Sequence, residues 1–224
     1  MPETAVNKSK NRVVRHQENP NGAQASTVEK LGLLVALGVF LTVPYFLIQH
    51  HQIFPAKVIP LTPIDGLVPF FQPAVYAYVS FHVLLIVPLL LARDTRTLRQ
   101  MALGFAWIVC VSLVLFLVWP TTIPPLVSRW QVTDPLMRLV LSVDTDLNAC
   151  PSLHASLAVY CGLCSVQLLK SKRQRAVVLL WVFLILAATL LTKRHIAVDL
   201  LAGAALGLAT YAGLFMRRLR GALG

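Results

Sequence analysis

Met101-Ala102-Leu103-Gly104-Phe105-Ala106-Trp107-Ile108-Val109-Cys110-Val111-Ser112-Leu113-Val114-Leu115-Phe116-Leu117-Val118-Trp119 is a run of nineteen residues without a single charge. About 20 apolar residues are needed for a helix to cross the hydrocarbon layer, and lipid satisfies no free backbone amide or carbonyl, so the stretch predicts a membrane-spanning helix. Five similar stretches lie near 31–49, 74–92, 152–169, 176–192 and 198–216. Composition agrees with them. The chain of 224 residues is 57% hydrophobic and 13% charged, with a mean hydropathy of +0.70. Soluble domains carry roughly 25% charged residues, so this chain has about half the charge that a water-facing surface needs.

The placement of the basic residues sets the orientation. Fifteen of the 20 lysines and arginines fall on one side: Lys8, Lys10, Arg12, Arg15, Lys30, Arg93, Arg96, Arg99, Lys170, Lys172, Arg173, Arg175, Arg217, Arg218 and Arg220. Lys57, Arg129, Arg138, Lys193 and Arg194 fall on the other. This bias predicts an all-α integral membrane protein, a six-transmembrane-helix bundle with both termini cytoplasmic. Residues 1–29 read as a disordered cytoplasmic tail, 30–217 as the membrane domain and 218–224 as a short basic tail. No cleavable signal peptide is evident, and the first apolar run serves as an uncleaved anchor. The net charge of +11 sits in short clusters between apolar runs, so it does not form the basic face that nucleic acid requires.

Two outward segments exceed simple turns. Pro55, Pro60, Pro63, Pro69 and Pro73 prevent one regular helix over 50–73. After Pro120-Thr121-Thr122-Ile123-Pro124-Pro125, Asp134 and Pro135 suit the N-cap and first position of a short interfacial helix. Trp119 and Trp130 suit the headgroup belt. Cys161 and Cys164 have a C-x-x-C spacing but lie in an apolar run, where they read as packing residues and not as a zinc or redox pair.

Three ionisable residues stand out against this apolar background. His154 lies in Cys150-Pro151-Ser152-Leu153-His154, at the outer start of the fourth stretch, and His195 and Asp199 lie at the outer start of the sixth. The topology brings both segments to one face. A spacing of four stacks His195 over Asp199 on a helix, so the carboxylate would fix the imidazole tautomer and free the other nitrogen as a nucleophile. His154 is then the general acid. Ser152 as an N-cap would aim the helix amides and positive dipole end at an anion, with Lys193 and Arg194 nearby. His50 and His51 read as interfacial anchors and His82 as a satisfied interior group. A His/His/Asp metal site is the sharper rival, yet no fourth ligand is evident and two cations adjoin, so neither metal nor cofactor is expected. A proton-relaying transporter would place such groups near mid-membrane rather than at its edge.

At these residues the chain resembles the type-2 phosphatidic acid phosphatase superfamily of integral membrane enzymes. Pro151-Ser152-Leu153-His154 is similar to its Pro-Ser-Gly-His motif, and His195 and Asp199 match its His-x-x-x-Asp, followed by Leu200-Leu201-Ala202-Gly203. The resemblance covers roughly residues 55–215. It implies His195 as nucleophile, Asp199 as its orienting partner and His154 as proton donor. The family's Lys-x6-Arg-Pro motif is absent, and its Ser-Arg pair falls at Ala188 and Thr189. Charge for a substrate phosphate would then come from Arg129, Lys193, Arg194 or backbone amides. The Pro120–Pro125 stretch resembles the branch containing inositol phosphorylceramide synthases, with sphingomyelin synthases as distant relatives. The expected activity is a membrane lipid phosphatase acting through a phosphohistidine, with transfer of a phospho-headgroup to a lipid or sugar hydroxyl as the alternative. Its partners would be a membrane lipid phosphate and the bilayer, in a bacterial plasma membrane with the site facing the periplasm or exterior.

Overall fold

The computed structural model describes residues 23–127 and 131–222, with only the backbone course given for 215–222. The chain is mostly helical. In order, the elements are α1 (Thr27–His50), β1 (Lys57–Val58), α2 (Pro63–Leu67), a 3-10 turn (Gln72–Ala74), α3 (Val75–Val79), α4 (Phe81–Leu91), α5 (Thr95–Val118), β2 (Thr121–Thr122), α6 (Pro135–Val143), α7 (Leu153–Leu168), α8 (Lys172–Leu191) and α9 (Ala197–Ala222). Among the described residues, five apolar helical stretches are long enough to cross a membrane: Thr27–His50, Gln72–Leu91, Thr95–Val118, Lys172–Leu191 and Ala197–Leu214. The sixth expected span, Leu153–Leu168, is apolar but shorter, at 16 residues. Most of its side chains are buried inside the protein, which makes α7 the central helix.

Local chemistry sets the helix ends. Ser26 caps α1 by accepting the Glu29 N–H, and Asp94 caps α5 by accepting that of Thr97. Of the expected tail, residues 1–22 lie outside the described residues. Its last part is tied to the start of α5, where the Ala25 N–H donates to Arg93 O and the Thr95 N–H to Ala23 O. The short helix expected at Asp134-Pro135 forms as α6, with Asp134 accepting the N–H groups of Leu136 and Met137 and Pro135 in the first turn. The proline-rich segment forms β1 and the short helix α2, which begins at Pro63. Trp119 is exposed beneath the Lys57 ammonium, 5.0 Å from the ring centroid, and Trp130 lies outside the described residues.

Close packing of α7 on α9 is the feature that builds the site. A Cβ on Gly203 would meet the backbone oxygen of Ser152, and one on Gly207 would meet that of Ser156. The G-x-x-x-G of α9 therefore serves a helix crossing within the chain. On the loop side, β1 and β2 pair in parallel, Lys57 with Thr121 and Val58 with Thr122. Ile59, Ile123, Ala149 and Ile196 pack together beneath this ribbon. Three chain segments are thereby fixed around the start of α9.

Candidate active site

The turn from α8 into α9 sets the position of His195. Thr192 ends α8, its hydroxyl donating to Ala188 O at 2.7 Å. Lys193 adopts a left-handed φ of 56°, and the N–H groups of Arg194 and His195 both return to Thr189 O. Helix α9 then begins. Oδ1 of Asp199 accepts the Ile196 N–H at 2.9 Å, and Oδ2 lies 2.9 Å from Nδ1 of His195. The carboxylate is fully buried, and His195 nearly so. Such an arrangement places the imidazole proton on Nδ1 and leaves Nε2 with its lone pair.

That Nε2 lies 3.4 Å from Nδ1 of His154. His154 is in the first turn of α7, stacked on Tyr78 with centroids 4.5 Å apart and tilted against Phe81 at 4.6 Å. The sequence reading therefore put His154, His195 and Asp199 together, and the structure brings all three into one cluster.

The four expected substrate contacts fare differently. Ser152 caps α7 through the Ala155 N–H, but its own N–H donates to Asp199 O at 3.1 Å. It is fully buried and ties the two helices together; it does not line the cavity. The Lys193 ammonium points away, donating to Asp65 O at 2.8 Å and to Val68 O. Arg194 does line the cavity, yet its charge is already matched. Nη1 donates to Asp146 Oδ1 at 2.9 Å, Nη2 donates to the carbonyls of Asp144 and Thr145, and Nε faces Asp144 Oδ2 at 3.5 Å. Arg129 lies outside the described residues. His82, expected as an interior group, is exposed at the cavity wall with Nδ1 3.0 Å from Val79 O.

Several site residues were not anticipated. Asp144 accepts the hydroxyls of Tyr78 at 2.8 Å and Tyr45 at 3.2 Å besides facing Arg194. Burial alone would raise its pKa, but the Arg194 charge, with lesser help from His154 and Tyr78, holds it below the ordinary carboxylate value. For Arg194, burial works downward and the Asp144 charge more than offsets it, so its pKa is raised. Asp65 braces the start of α9, accepting the Ala197 N–H at 2.7 Å on Oδ1 and the Thr62 N–H and hydroxyl on Oδ2. Burial pushes its pKa up, but the bonds from Thr62 and Ala197 and the Lys193 charge outweigh that and lower it. A sequence signal existed only for Asp144-Thr145-Asp146, a doubly acidic loop in a chain with nine acidic residues.

A cavity of about 380 Å³ opens over the two histidines. Its polar lining residues include His154, His195, Arg194, Asp144, Asp146 and Asn148. Its lining also includes apolar side chains, among them Leu41 and Phe46 of α1 and Leu139 and Val143 of α6. Such a volume suits a small organic ligand. The arrangement offers an imidazole nitrogen that can act as a nucleophile, a carboxylate bonded to that ring and a second imidazole within reach for proton transfer.

Comparison with known proteins found no match among curated proteins or solved structures. A family model does match, that of the PAP2 superfamily, over residues 67–213. The matched segment contains His154, His195 and Asp199 and covers more than half of the chain, which therefore belongs to the PAP2 superfamily.

Proposed function

We propose that the protein is a membrane lipid phosphatase that cleaves a lipid phosphomonoester or diphosphate through a phosphohistidine on His195. Membership of a phosphoesterase and phosphotransferase superfamily supports the reaction class. The observation that carries the reading is the ordered contact Asp199–His195–His154, with both histidines lining one cavity. Nε2 attacks phosphorus as the bond to the leaving oxygen breaks, and His154 donates its proton to that oxygen. His154 then accepts a proton from water as the water oxygen attacks the phosphohistidine, releasing phosphate and restoring Nε2. Asp199 keeps its charge throughout and stabilises the imidazolium.

In the bilayer, α7 is the sixth crossing and both termini face the cytoplasm, as the basic residues require. Its 16 residues span about 24 Å, less than the roughly 30 Å of hydrocarbon, so His154 sits below the outer headgroups. Lipid tails enter along the apolar wall between α1 and α6. The outer face is the periplasmic or external side of a bacterial plasma membrane.

A second reading keeps the first half-reaction and replaces water by a hydroxyl of a lipid or sugar, as in the inositol phosphorylceramide synthase branch. The acidic cavity wall formed by Asp144 and Asp146 favours it, since hydroxyls bind where a second anion would be repelled. Purified protein incubated with a panel of lipid phosphates decides between them. Free inorganic phosphate is expected from hydrolysis, whereas a new phosphorus-containing lipid without it establishes transfer. Turnover surviving in His195→Ala would sink both.

A further inference from the structure

Lys57 begins the β1–β2 ribbon and is exposed. Unlike Lys193, which donates to two carbonyls, and Arg194, which meets Asp144 and Asp146, it has no oxygen partner among the described residues. Its ammonium instead rests 5.0 Å from the centroid of the Trp119 ring. A ring face attracts an ammonium but carries no net charge, so the positive charge stays uncompensated and its N–H groups still lack an acceptor.

Lys57 and Trp119 line a second cavity, of about 580 Å³, that is lined by none of His154, His195 and Asp199. Val111 and Leu115 continue the row begun at Trp119 at four-residue intervals, which share one face of α5, and Leu206 of α9 joins them in the wall. From Trp119 to Val111 this row runs about 12 Å along the helix axis. All of it below Trp119 lies in the apolar span Thr95–Val118, at hydrocarbon depth.

Charge and depth together select the occupant. The side chains from α5 and α9 below Trp119 offer a polar ligand no hydrogen bond, whereas an acyl chain needs none. At the upper end, a lone ammonium calls for an anion. A zwitterionic headgroup brings its own cation, for which the lining contains no carboxylate. A headgroup whose net charge is that of its phosphate leaves nothing unmatched.

We infer that this cavity is a binding site for an anionic phospholipid of the bilayer, with the lipid phosphate on Lys57 and one acyl chain laid along Leu115 and Val111 against Leu206. Cys150 and Pro151 also line it, so the bound lipid touches the segment that leads into Ser152 and His154. The site stands or falls apart from the proposed reaction, because it uses none of the three residues assigned to that chemistry.

Photolabelling tests it. Full-length protein in phosphatidylcholine nanodiscs receives a small fraction of either phosphatidylglycerol or phosphatidylcholine carrying a diazirine midway along one acyl chain. After irradiation, peptide mass spectrometry is expected to find adducts on Val111, Leu115 or Leu206, about fivefold more with the phosphatidylglycerol probe, the preference that one lysine gives near a membrane surface. Raising the salt concentration shrinks this preference, a measurement that needs no variant. Lys57→Gln brings the two probes level, and Lys57→Arg, which keeps the charge, retains the difference. Equal labelling of these three residues by both probes in the wild type overturns the site, as does a preference that survives Lys57→Gln or is indifferent to salt. Adducts confined to the cavity at His154 and His195 overturn it too, by placing the anionic lipid there instead.

Discussion

The Asp199 carboxylate holds the His195 ring and the first turn of α9 at once: Oδ2 is 2.9 Å from Nδ1, and Oδ1 accepts the Ile196 N–H at 2.9 Å. Asp199→Asn keeps the shape but turns an amide donor or a neutral oxygen toward the ring, so the tautomer with a free Nε2 loses its support. Rate loss on the order of 10³–10⁴-fold in kcat is expected, by analogy with the loss when a serine-protease triad aspartate is made neutral. Circular dichroism of the purified variant should remain that of the parent. A rate within tenfold of wild type in rapid-quench measurement of the phosphoenzyme would show that the tautomer needs no carboxylate.

The α7–α9 crossing, together with the turn before α9, sets the distance between His154 and His195. Because a Cβ on Gly203 would meet the Ser152 backbone oxygen, Gly203→Ala pushes α9 off α7 and breaks the Ser152 N–H to Asp199 O bond. Overpacking of this kind costs about 1–3 kcal/mol, and a shift of even 1 Å at the reacting nitrogens costs about 100-fold in rate. Gly32→Ala on α1, where the new methyl group meets nothing, is the matched control. Thermal unfolding and turnover should separate the two variants; equal behaviour would mean that α9 tolerates displacement.

The three residues of the triad could be read in the sequence because each stands in a short local pattern, although His195 lies two residues before α9 rather than on it, and Asp199 in the first turn reaches back to its ring. Basic residues between apolar runs likewise disclosed the helices. The rest depends on long-range approach. Asp65 reaches Ala197 across 132 positions, and Tyr78 reaches Asp144 across 66, neither with any local signature. Charge alone misled at Lys193 and Arg194: both are cationic and next to His195, yet the left-handed turn at Lys193 sends one ammonium to the α2 carbonyls, and the acidic loop neutralises the guanidinium.

That correction gives opposite expectations for two neighbours. Lys193→Met loses its bonds to Asp65 O and Val68 O, so the melting temperature falls while KM for a lipid phosphate stays within about twofold. Arg194→Met leaves the half-buried Asp144 without its counter-charge, a change that costs less than the roughly 3–5 kcal/mol of a fully buried pair. Adding Asp144→Asn to Arg194→Met should recover part of that loss, since the unpaired charge goes with it. A KM raised tenfold or more by Lys193→Met would return Lys193 to the substrate.

Acid should act on the site through Asp65. Its folded pKa is lowered, so its stabilising contribution is complete above the unfolded value, near 3.9, and is lost as pH falls through the folded value. Protonation weakens the carboxylate's hold on the Thr62 and Ala197 N–H groups and loosens the start of α9, from which His195 and Asp199 are presented. Melting temperature is therefore expected to stay level on this account from pH 7 to pH 5 and to fall below about pH 4. Asp65→Asn starts from a lower melting temperature at neutral pH, because its amide offers one acceptor where the carboxylate offers two. With no carboxylate to protonate at that position, its acid fall is shallower than that of the wild type. The difference between the two curves is the quantity to measure, since Asp144 also titrates in both. Curves that run parallel from pH 7 to pH 3 would place the acid sensitivity elsewhere and leave Asp65 as a brace whose charge is immaterial.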